Sequence, residues 1–135
     1  MVKFTGGCMC GNVKFEADGD PVFAGNCHCE DCRKSSGAAY STFVFMNKED
    51  VKMTGKTSAY DHKADSGNVL TKHFCGHCGS PMFTENEARP TMIGIRSGVI
   101  NEHEVVKPMM NVYAGSKIHS TPLDPDIPAH EKMPG

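Results

Sequence analysis

The chain has 135 residues and a formal net charge of -2, which is the length of one domain. The balance of 14 Lys+Arg against 16 Asp+Glu excludes the strongly basic face of an electrostatic nucleic-acid binder. No apolar run approaches the ~18 residues of a membrane span, and the opening Met1-Val2-Lys3-Phe4-Thr5 has no apolar signal region, so a cytoplasmic protein is expected.

Local pattern predicts strands. Residues 12–17 alternate polar with Val13, Phe15 and Ala17, which places those three on one face. A short helix is predicted from Glu30 through Ser36, stopped by Gly37. Residues 40–46 form a longer strand whose Phe43-Val44-Phe45-Met46 end implies burial on both faces. Residues 51–54 and 57–60 flank Gly55-Lys56 and read as a hairpin. Further strands are expected at 69–74, 91–96 and 110–113. Four prolines from Pro122 onward suggest an extended tail at about 119–135 of a single domain spanning 1–135. With two leucines against ten valines and seven phenylalanines, the composition favours an all-β fold with little helix.

The apolar content is thin for the length, so a second source of folding energy is expected. Seven cysteines supply the candidate. They fall in three clusters, Cys8-x-Cys10, Cys27-x-Cys29-x-x-Cys32 and Cys75-x-x-Cys78. Sulfurs two or three residues apart can converge on one zinc ion at about 2.3 Å, whereas disulfides need an oxidising compartment. Seven ligands divide as four plus three, a closed structural site and an open one. One partition joins Cys8 and Cys10 to Cys75 and Cys78, leaving Cys27, Cys29 and Cys32 as the triad. The other joins Cys29 and Cys32 to Cys75 and Cys78, leaving Cys8, Cys10 and Cys27. The 42 residues between Cys32 and Cys75 are long for a simple ribbon, which favours the first partition, but on spacing both stay open.

Arg33 and Lys34 follow the second cluster directly and could offset thiolate charge or, in the case of Arg33, touch a substrate. His28 and His77 lie inside clusters, but each would point differently from the flanking sulfurs, so supporting roles are expected. Ser35 and Ser36 lack the Gly-x-Ser-x-Gly elbow of an activated nucleophile.

Three segments carry a resemblance: Gly7-Cys8-Met9-Cys10-Gly11-Asn12-Val13, then the run from Cys27 to Gly37, then Phe74-Cys75-Gly76-His77-Cys78-Gly79-Ser80-Pro81. In this order they resemble the glutathione-dependent formaldehyde-activating enzyme family, and all seven family cysteines have counterparts. The resemblance implies an Mss4-like fold of coiled antiparallel sheets. It implies a structural zinc on Cys8, Cys10, Cys75 and Cys78, and a second, labile zinc on Cys27, Cys29 and Cys32. The implied activity is that of a carbon–sulfur lyase, joining a small thiol such as glutathione to formaldehyde or a related aldehyde. The same scaffold also serves as a non-catalytic zinc-bearing interaction module, and a thiol-based metal or redox sensor is a third expectation.

Overall fold

A computed structural model describes residues 2–134; the two ends of the expected domain, Met1 and Gly135, lie outside the described residues. The fold is all-β with one short α-helix, as the composition leads one to expect. In chain order the strands are β1 (Lys3–Gly7), β2 (Lys14–Asp18), β3 (Phe23–Cys27), β4 (Ser41–Asn47), β5 (Val51–Thr54), β6 (Thr57–Lys63), β7 (Val69–Cys75), β8 (Pro81–Asn86), β9 (Met92–Arg96) and β10 (Asn111–Val112). The helix α1 (Glu30–Ser36) lies between β3 and β4.

Two sheets form. The smaller has the order β1-β2-β5 and the larger β10-β3-β4-β9-β8-β7-β6. Pairing is antiparallel except where β10 runs parallel to β3, with Val112 opposite Cys27. The core lies between the sheets. Phe4, Val13, Phe15 and Ala17 of the small sheet and its loops meet Ala24, Val44, Met46, Ile93 and Ile95 of the large one. Phe4 and Phe15 pack edge to face, ring centroids 5.9 Å apart. Burying each such ring contributes about 2–3 kcal/mol. β4 sits between β3 and β9, which explains its nearly continuous apolar run.

The expected hairpin at Gly55-Lys56 does not form. β5 pairs with β2, and β6 pairs with β7 on the far edge of the other sheet. The reason lies in what the two strands carry. Val51 and Met53 stand opposite Ala17 and Phe15 and complete the inner face of the small sheet. β6 is largely exposed and has no such face to offer β5. Gly55 marks the crossover, with φ at +95° and a Cβ that would fall 2.1 Å from the Asn12 carbonyl. Only glycine fits so close an approach.

The large sheet has a second face, turned away from this core. Residues directly opposed in an antiparallel pair share a face, so the registers can be followed across the sheet. Cys27 opposes Ser41, and Phe43 opposes Arg96. Thr84 lies opposite both Gly94 and Lys72, and Lys72 opposes Tyr60. These residues therefore line one surface, with α1 lying over its β4 end.

Candidate metal and thiol centre

Both cysteine groups arise from how the chain ends its strands. The segment between β1 and β2 turns at Gly11 and carries Cys8 and Cys10, while Cys75 closes β7 and Cys78 follows in the turn to β8. The four sulfurs lie within 4.8 Å of one another. Cys8 Sγ is 3.6 Å from Cys10 Sγ, and Cys10 Sγ is 3.7 Å from Cys75 Sγ. Four sulfurs bonded tetrahedrally at the usual zinc distance stand about 3.8 Å apart, so the spacing suits an ion of that size. Backbone amides support the sulfurs: Val13 N donates to Cys8 Sγ at 3.2 Å and Cys78 N to Cys75 Sγ at 3.5 Å. At Gly79 the backbone is left-handed, φ +81°, and its N–H returns to the Cys75 carbonyl at 2.8 Å. A hydrogen bond from the Ser80 hydroxyl lowers Cys78 to about 5.

The second group is Cys27, Cys29 and Cys32, whose sulfurs also lie within 4.8 Å of one another. Cys27 ends β3. Cys29 is the N-cap of α1, its sulfur accepting from Cys32 N at 3.3 Å, so one thiol serves both the cluster and the helix. A seven-residue helix is marginal alone. It is fastened to the sheet where Ser41 Oγ donates to the Cys32 carbonyl at 3.1 Å and Arg96 Nη2 donates to Ser35 Oγ at 3.1 Å. It stops at Gly37, as expected, in the left-handed conformation. All seven cysteines are free thiols.

Within the triad, hydrogen bonds from Cys27 and then Cys32 hold Cys29 as the thiolate, lowering it to about 2; the charge of Lys72 acts in the same direction. The same Cys27–Cys29 hydrogen bond pushes Cys27 far up. Three adjacent sulfurs therefore share their protons and do not all ionise without a cation between them. Such a donor set, thiolate-rich and partly buried, could hold a metal ion.

Sequence reasoning missed two cations. Lys72 is 8% exposed and Arg96 6% exposed, and burial lowers the pKa of each. Both are coupled through charge to Cys32 and Cys29, and Arg96 also to Cys27. Arg96 is locked in place by Ser35, by Ser41 Oγ at 3.0 Å from Nη1, and by the Phe43 ring 4.6 Å below its guanidinium. A period-two pattern places each on a strand face but cannot tell which face carries the cysteines, so no local signal could have found them.

Among the expected residues, Arg33 is half-buried on α1, with its Nε buried and unpartnered among the described residues. Lys34 is exposed and pairs with Glu30 at 2.7 Å. His77 is exposed. His28 is 1% exposed, with Nε2 3.0 Å from Asn111 Oδ1 and its ring against Tyr40, and it does not join the triad sulfurs. It ties β3 to β10 instead, beside the strained Tyr113 at φ +55°.

A family model described as glutathione-dependent formaldehyde-activating enzyme matches residues 3–116. Among solved structures, a crystal structure of a Rhodobacter sphaeroides protein is similar, with a TM-score of 0.58 and 18% identity. That match covers 93% of this chain and 98% of the other, and at this identity it speaks for the fold alone. No helix of the described residues is long and apolar enough to cross a membrane.

Proposed function

Since the chain belongs to the glutathione-dependent formaldehyde-activating enzyme family, we propose that it is a zinc-dependent carbon–sulfur lyase that adds a small thiol, glutathione or another, to formaldehyde or a related small aldehyde. The observation that carries this reading is the unequal division of the sulfurs into a set of four and a set of three. Cys8, Cys10, Cys75 and Cys78 would hold a structural zinc. Cys27, Cys29 and Cys32 would hold a second zinc, leaving one position for an outside ligand. When bound there, the ion would lower a substrate thiol's pKa so that the thiolate nucleophile is present near neutral pH.

The protein's own part is positional. The α1 cap and the end of β3 fix the three sulfurs, and the Arg96 bonds to Ser35 and Ser41 keep helix and sheet at a constant spacing. Arg33, next in sequence to Cys32, and Tyr113, whose phenol feels the charge of Cys27 and Cys29, would be the candidate contacts for the aldehyde or thiol. Seven free thiols in two clusters would cross-link under oxidising conditions, so the reading places the protein in the reducing cytoplasm.

Metal analysis of the purified chain, followed by a thiol panel with formaldehyde, tests the proposal. The expected outcome is two zinc per chain and loss of free thiol that depends on the protein. One tightly held zinc and no thiol consumption with any of the panel would overturn it, and would favour a non-catalytic binding module on this fold.

A further inference from the structure

Resting on that reading, we propose that Lys72 and Arg96 set the charge of the triad face so that its outside ligand is an anion, a thiolate, in preference to a neutral molecule. With zinc bound, the three thiolates would leave one net negative charge. A fourth thiolate makes it two, and in a partly buried site this charge would be costly to hold. Lys72 and Arg96 together supply two positive charges on the same sheet face. Neither is neutralised by an acid. Neither makes an ion pair among the described residues, although each is more than nine-tenths buried. Arg96 spends its two terminal nitrogens on serine hydroxyls, which are neutral, and its buried Nε has no partner among the described residues.

The same surface holds further unpartnered atoms. Thr84 Oγ1, directly opposite Lys72, is buried without a hydrogen bond, and so is His62 Nε2 at the β6 edge. The one acid whose charge acts on Lys72 is Asp31, half exposed to water and facing His62 Nδ1 at 3.7 Å. Solvent screens a charge so exposed far more than it screens the two buried cations. The face thus has a surplus of positive charge, with unpartnered polar atoms on the same side of the sheet as Cys27. An incoming thiol would lose its proton to buffer and bind as thiolate, the form this surplus favours.

The test uses full-length protein whose labile ion has been exchanged for cobalt, read by its sulfur-to-metal absorption. Mercaptoethanol serves as the anionic probe and imidazole as the neutral one. Lys72→Met is expected to weaken mercaptoethanol binding by about tenfold or more while changing imidazole binding less than about twofold. Lys72→Arg should keep both affinities. If Lys72→Met fails to fold, Lys72→Gln carries the same expectation. Equal losses for both probes, or no loss for either, would overturn the charge assignment and leave the thiol-adding reading standing. A wild-type centre that takes up neither probe would remove that reading as well.

Discussion

The four-cysteine and three-cysteine centres are built from the same side chain and sit in contrasting surroundings. Cys8 and Cys75 are part of the hydrophobic core cluster, with Cys78 packed against it. The triad lies on the opposite surface of the large sheet, beside two buried cations and a rim of polar groups. An apolar backing offers a sulfur cluster nothing but rigidity. A backing of unneutralised charge leaves it responsive to whatever arrives from solution. The difference shows that sulfur count alone does not define a site's work, because the residues behind the sulfurs set whether it holds the fold or meets a ligand.

If that contrast is right, damage to the two centres should have unlike consequences. Replacing Cys75 by Ser should have the largest effect. It opens the core and removes metal-linked folding free energy on the order of 10 kcal/mol, so the variant should be insoluble. A soluble Cys75→Ser chain with a cooperative, unshifted melt would break the comparison. Replacing Cys29 by Ser should lower metal content by one equivalent and abolish thiol–aldehyde addition. Its melting temperature should stay within roughly 4 °C of the parent, since a serine hydroxyl at the N-cap still accepts from the Cys32 N–H.

Chelator removal sharpens the same point without mutation. One equivalent should leave first with the circular dichroism unchanged, and the second only as the fold is lost. Simultaneous loss would mean the centres are energetically one.

The smallest effect is expected at a residue that belongs to neither cluster. Glu102 accepts hydrogen bonds from the Thr5 N–H at 2.6 Å and the Thr5 hydroxyl at 3.1 Å, which hold its carboxyl below the usual range. A folded pKa below the unfolded value means the contribution is complete above the ordinary carboxylate pKa. It is lost as pH falls through the folded one. Glu102→Gln should therefore flatten a shallow acid limb in a pH–stability titration and leave metal content unchanged.

How much of this could be read from the residues depended on whether the signal was local. The helix at Glu30–Ser36 carried its own stop in Gly37, and the strands at 12–17 and 51–54 carried their alternation. The closeness of Cys8 and Cys10 to Cys75 and Cys78 had a local half, the two knuckles, and a distant half that the spacing could only favour. β1, β3 and β8 escaped notice because glycines dilute the first two and Pro81 opens the third. The hairpin expectation failed because a two-residue gap says nothing about which sheet each strand needs. Lys72 and Arg96 stayed hidden for the same reason: the thiols whose charge reaches them come from the end of β3 and from α1 and its cap, brought near only by the folded sheet.

The parallel pairing of β10 with β3 has a consequence of its own. Val112 lies beside Cys27, and the His28 N–H reaches the Val112 carbonyl at 3.1 Å. Asn111, Tyr113 and Ala114 are in turn bonded through their N–H groups to the carbonyls of Pro128, Lys132 and His130. The last segment of the chain thus splints a two-residue strand too short to hold itself. A nick, a fused tag or a mobile crystal form disturbing residues 128–132 would be felt at the thiol face two hydrogen-bonded layers away, with the core between the sheets left untouched.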